Sequence, residues 1–173
     1  MIPLLLASIG CYGKQEPTTG EEFYRTFAHA LRRKDVDTIW KLMSEECRAH
    51  MATYAECRIR AAESTEEFNQ FVEDSADEQP VPEIPTREPR ELAKHMIREW
   101  IETHWDLVGA MRYVETIQTE TPLGMMTSVV FRYPGVDRDM MVLMEVDGFL
   151  RMWSCKRFLS LNSTGSSVAS AEE

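Results

Sequence analysis

The chain has no apolar run approaching the roughly 20 residues that a bilayer-spanning helix needs. Its one sustained stretch, residues 2–6, is far too short and carries Pro3. It has no CxxC pair and no Cys/His spacing of the kind that encloses zinc, so no metal site is expected. Basic residues are in deficit: 19 Lys and Arg stand against 29 Asp and Glu, a net charge of −10. That balance repels phosphate backbones and excludes nucleic acid as a partner, because binding it needs a basic footprint that releases counterions. No motif implies a cofactor. What remains, at 173 residues, suits a single domain around one core.

Location is the sharpest signal. Cys11 follows Ser8, Ile9 and Gly10 behind the short apolar run, a pattern that resembles the lipobox of a bacterial lipoprotein signal peptide. The resemblance implies that residues 1–10 are removed as a signal peptide and that Cys11 is lipidated, tying the protein to a membrane of the bacterial envelope. More than one acyl chain gives stable anchoring. An ordinary secretory signal, giving a secreted or periplasmic protein, is the alternative. Residues 11–20, polar with Pro17 and Gly20, suit a tether. Three further cysteines follow. Cys47 and Cys57 lie about 15 Å apart on continuous helix, beyond the roughly 7 Å limit for bridging, which leaves a bond to Cys155 or small buried thiols packing as hydrophobes.

Helical signals come first along the domain, expected over residues 21–159. Thr19 and Glu22 have capping-box spacing, and Phe23, Phe27, Ala30 and Leu31 recur on one helix face. Arg32, Arg33 and Lys34 close that helix with positive charge. A second helix is expected from Asp35, collecting Val36, Ile39, Trp40, Met43, Cys47, Met51 and Tyr54, with residues 44–47 as the place where it would break. Ser64 and Glu67 repeat the capping spacing ahead of a short amphipathic turn. Residues 74–91 place Pro80, Pro82, Pro85 and Pro89 among acidic side chains and read as a surface loop, a solvated linker or a lid. Pro89 suits the first turn of another helix, whose inner face gathers Met96, Ile97, Trp100, Ile101, His104, Leu107 and Val108 before Gly109 ends it.

Strands and turns follow: residues 111–120, 125–133, 140–146 and 149–158. Pro134 and Gly135 suit the centre of a type II turn, and Asp147 with Gly148 forms a hairpin signal. Both faces of the last strand carry apolar residues, as in a sheet with one face on helices and the other partly covered. Residues 160–173 are rich in Ser, Gly and Ala and read as a disordered tail. The expected fold is therefore α+β: N-terminal helices packed against a curved antiparallel sheet of about four strands.

That order of elements resembles the nuclear transport factor 2-like superfamily, carried by the entry phrase at residues 23–37 and the closing acidic-Gly hairpin at residues 144–158. The resemblance implies a cone of sheet wrapped round a helical pair, with function in the pocket between them. No stretch matches the catalytic motifs of the superfamily's isomerases, so no catalytic residue carries over. Helical winding puts His104 amid the apolar face, between Trp100, Ile101 and Val108, and turns His50 toward the apolar side of its own helix. His104 is the catalytic candidate, a general base helped by Tyr24, Tyr113 or Glu145, or else a satisfied core residue. Trp40, Trp100, His104, Tyr113 and Trp153 are the candidate ligand-binding residues. His95, Glu99 and Glu102 share a helical face with Glu91, Arg98 and Asp106 and read as surface charge rather than metal ligands. The expectation is a non-catalytic envelope lipoprotein whose cone binds a small apolar ligand or a protein partner. The alternative is a small isomerase- or dehydratase-type acid/base enzyme using His104.

Overall fold

The computed structural model describes residues 16–71, 84–122 and 124–159. The expected signal peptide, Cys11, the first half of the tether, most of the acidic Pro-rich loop and the tail from 160 lie outside the described residues. Among those described, no helix is long and apolar enough to cross a membrane.

Helix α1 (Gly20–Arg32) starts where Thr19 accepts from the Glu22 amide at 3.2 Å while the Glu22 carboxylate accepts from the Thr19 amide at 3.2 Å. The same carboxylate accepts from the Thr18 amide and hydroxyl, which holds its pKa below the usual glutamate range. Phe23, Phe27 and Leu31 are fully buried, each contributing about 1.5–3 kcal/mol. Lys34 turns the chain with φ of 52°, and Asp35 caps α2 (Val36–Leu42) by accepting from the Thr38 amide at 3.0 Å.

The second helix ends at Met43, earlier than an unbroken run would. There the Ser44 amide donates to the Met152 carbonyl at 3.0 Å, and Met43 forms a parallel bridge with Met152. Ser44 then caps a new helix, its hydroxyl accepting from the Cys47 amide at 3.1 Å. Helix α3 (Glu45–Phe71) runs on without interruption. Ser64 therefore sits inside a helix and caps nothing, and the separate amphipathic turn expected there does not exist. Cys47, Met51, Ala55, Ile59 and Ala62 are buried, a row at helical spacing that packs on α4 (Pro89–Thr103). Helix begins at Pro89, inside the expected 74–91 loop, because the fixed φ of proline suits a first helical residue. Just ahead of α4, Arg87 reaches back to Glu63 and Glu66 of α3 at 2.9 and 2.7 Å.

The expected single inner-face helix also divides. Backbone at His104 leaves helical geometry (φ −109°, ψ 27°), and α5 (Trp105–Ala110) follows. Gly109 lies within α5 and does not terminate the element.

Strands β1 (Arg112–Thr121), β2 (Gly124–Tyr133), β3 (Val136–Val146) and β4 (Phe149–Met152) form one curved, unclosed antiparallel sheet in that order. The protein thus has an α+β fold. Gly135 has φ of +83°, as the third position of a type II turn requires. Asp147 and Gly148, at +53° and +80°, supply the two left-handed residues of a tight hairpin. Thr127, Val129, Phe131, Met141, Leu143, Leu150 and Met152 form the buried inner face, in register across β2, β3 and β4. A bulge at Val114 bends β1, and a second irregularity sets Asp137 and Arg138 of β3 against Arg132 of β2. Gly20 lies directly on β1: a Cβ there would come within 2.3 Å of the Thr116 hydroxyl. Ahead of α1 the chain is already fixed to β4, where the Leu150 amide donates to the Pro17 carbonyl at 2.8 Å and Arg151 pairs with Glu16 at 2.6 Å.

The last strand departs most from expectation. β4 stops at Met152 rather than running to residue 158, because Cys155 and Phe158 are drawn into the core by the short helix α6 (Lys156–Leu159). β3, by contrast, begins at Val136, four residues before Met140, where it was expected.

Candidate functional site

The mismatch between β3 and β4 makes the site. Past the Trp153 amide, which donates to the Val142 carbonyl at 3.0 Å, β3 continues toward Val136 paired with β2 but, among the described residues, with no strand on its β4 side. The space so left is walled by α6 on one side and the α4–α5 junction on the other, and it encloses about 580 Å³. Trp100, Leu107, Met111, Met141, Val142 and Met152 supply apolar lining, Met140 stands at the rim, and His104, Ser154 and Lys156 supply polar groups.

At one end Tyr133, Asp139 and Arg157 form a linked polar group. Asp139 Oδ2 accepts from the Tyr133 hydroxyl at 2.9 Å and from Arg157 at 2.6 Å, and its Oδ1 accepts from the Met140 amide at 2.7 Å. Burial pushes the Asp139 pKa up, but the Arg157 bond and charge, with Tyr133 and the Met140 amide, outweigh it and hold the carboxyl below its usual range. The Tyr133 phenol is pushed up by burial first, then by its bond to Asp139 and that residue's negative charge. Arg157 also lies over the Phe131 ring, 4.8 Å from its centroid.

His104 sits at the helix break, half-buried at the cleft rather than amid an apolar face. Its ring stacks on Trp100 with centroids 4.8 Å apart, and Trp100 meets Phe158 edge-on at 5.2 Å. Nδ1 donates to the Trp100 carbonyl at 2.9 Å, the carbonyl being able only to accept. This leaves Nε2 without a partner among the described residues. No hydroxyl or carboxylate of the expected helpers meets the ring. Tyr113 pairs with Tyr24 at 5.5 Å and bonds the Thr116 hydroxyl at 2.9 Å, while Glu145 is exposed on β3.

Of the candidate ligand-binding residues, the fold brings Trp100 and His104 together in the cleft. Trp40 is buried in the core, Tyr113 lies under α1, and Trp153 projects with 45% exposure, so these three do not line it. His50 is exposed, because the inward face of α3 runs through Cys47, Met51 and Ala55 and leaves it on the solvent side. His95 touches Glu99 at 3.4 Å and Glu102 pairs with Lys34 at 3.0 Å. Among the described residues no group of three or more His, Cys, Asp or Glu side chains is placed to hold a metal.

Sequence reasoning missed Tyr133, Asp139 and Arg157. The signal for Asp139 was the two-residue period of Met141 and Leu143: continued back by one step, it puts a carboxylate on the core-facing side of β3. Comparison of the chain with protein-family models, with curated proteins and with solved structures finds no match in any of the three.

Proposed function

We propose that this is a non-catalytic binding domain of nuclear transport factor 2-like kind, held at a bacterial envelope through a lipid on Cys11, whose cleft takes a small ligand with an apolar body and an acidic head. The cleft is the observation that carries this reading. Its volume falls within the ~300–1,000 Å³ of small-molecule sites, and its four methionines, Met111, Met140, Met141 and Met152, offer an adaptable apolar wall. The charged lining is two cations, Lys156 and Arg157, against one carboxylate, Asp139, in a chain that is otherwise acidic. Lys156 has no ion-pair partner among the described residues, so it is the group for the ligand's head.

The test uses a fluorescent anionic amphiphile titrated into the protein, with decanoate and decanol as competitors. Decanoate is expected to displace the probe at least tenfold more effectively than decanol, and Ser154→Trp, which fills the cleft, to abolish binding. His104→Ala should weaken binding with the melting temperature retained; a large fall in melting temperature instead would make His104 a packing residue. No probe binding by the wild-type protein would remove the proposal. Conversion of a bound ligand that is lost in His104→Ala would replace it with the acid/base enzyme reading.

A further inference from the structure

Cys47 and Cys155, far apart in sequence, meet in the core. Both are free and buried, with 1% and 2% exposure, and their thiols are close enough to perturb one another. The backbone explains the meeting. Ser44 and Met152 are joined by an amide-to-carbonyl bond of 3.0 Å, and each cysteine lies three residues further along its own chain. The first turn of α3 is closed by the Ser44 cap on the Cys47 amide. The turn into α6 is closed by the Phe158 amide donating to the Cys155 carbonyl at 2.9 Å. Cys57, further along α3, is exposed and has no such neighbour among the described residues.

We propose that Cys47 and Cys155 are a disulfide-forming pair, oxidised by a small-molecule disulfide, and that their bond staples α3 to the α6 wall of the cleft. The inference goes beyond ligand binding and does not depend on it. Cys155, whose neighbours Ser154 and Lys156 line the cleft, is the thiol nearer to an oxidant entering from solvent, and its thiolate makes the first attack. That thiolate displaces one thiol from the oxidant and forms a mixed disulfide. Cys47 then loses its proton and attacks the Cys155 sulfur, expelling the second thiol. Two protein thiols give up two electrons and two protons, and the oxidant's disulfide becomes two thiols. Because Cys155 is buried, the first attack waits on opening of the four-residue α6. Ser154 and Lys156, either side of Cys155, line the cleft, so the bond also fixes that wall.

The experiment takes the reduced full-length chain, incubates it with glutathione disulfide in low urea to promote opening, alkylates the remaining thiols and maps peptides by mass spectrometry. The expected product is a Cys47–Cys155 cross-linked peptide with Cys57 alkylated or glutathionylated. Its melting temperature should exceed that of the reduced protein by roughly 10 °C, as for closure of a long loop. Both Cys47 and Cys155 alkylated after oxidation, or either bridged to Cys11 or Cys57, would overturn the proposal. The wild-type map needs no variant, so a Cys47→Ser protein that fails to fold leaves the result intact.

Discussion

Asp139→Asn tests how the polar end of the cleft is held. The carboxylate uses both oxygens, Oδ2 for Tyr133 and Arg157 and Oδ1 for the Met140 amide. Asparagine has one acceptor oxygen, so its NH2 must face a donor on one side or the other. Hydrogen bonds to a charged group contribute about 1.5–3 kcal/mol, whereas ion pairs on open surface contribute about 0–1 kcal/mol. The Asp139 and Arg157 side chains keep only 24% and 21% of their exposure, which places them closer to the first case. The expected loss at neutral pH is about 2 kcal/mol, a fall of roughly 5 °C in Tm for a domain of this size, read by urea unfolding and calorimetry. The lowered Asp139 pKa sets the sign with pH. Its contribution is complete above the ordinary carboxylate pKa and drains away as pH falls below about 4 and through the folded value. The gap between wild type and Asp139→Asn should therefore narrow in acid, followed as far down as both remain folded. A loss under about 0.5 kcal/mol at neutral pH, or a gap that does not narrow, refutes the reasoning.

Tyr24 carries a buried hydroxyl with no hydrogen-bond partner among the described residues, so Tyr24→Phe should leave stability unchanged or raise it by up to about 1 kcal/mol; a lower urea midpoint would show that the hydroxyl is bonded in solution. Gly20→Ala drives a methyl within 2.3 Å of the Thr116 hydroxyl and 2.6 Å of its methyl. It should cost about 1–3 kcal/mol of overpacking despite the better helix propensity of alanine, and Thr116→Ala should restore most of that loss in the double variant. Cys11→Ser should move the protein from the membrane to the soluble fraction of the cells that make it, and unchanged partitioning would remove the lipid anchor.

The architecture was readable wherever a side-chain pattern and a local backbone rule agreed. The Thr19–Glu22 box, Pro89 at a first turn, and the Pro134–Gly135 and Asp147–Gly148 turns each stand in the structure where their chemistry put them. What escaped was decided by tertiary contact. The local sign of a break after Met43 is the Ser44 cap, and it takes effect because the Met152 carbonyl also takes the Ser44 amide. Residues 149–158 alternate well enough for a long strand, yet burial of Cys155 and Phe158 pulls the chain out of the sheet after Met152. The cleft exists because of that departure, so it was not legible beforehand. His104 and Trp100 were found because aromatic and imidazole side chains on an apolar helix face tend to end up inside. Trp40 and Tyr113 satisfied the same rule and went into the core instead. Arg157 was hidden for a different reason: read as part of a strand, it had no cause to meet Asp139.

β1 ends the sheet on one side with ten residues and, among the described residues, no strand beyond it, the shape of template on which other chains can grow as added strands. Exposed Arg112, Glu115 and Glu120 line it, with the kink at Val114 among them, and an incoming strand would have to bury those charges and follow that kink. A stretch of this kind keeps a concentrated protein from polymerising edge to edge.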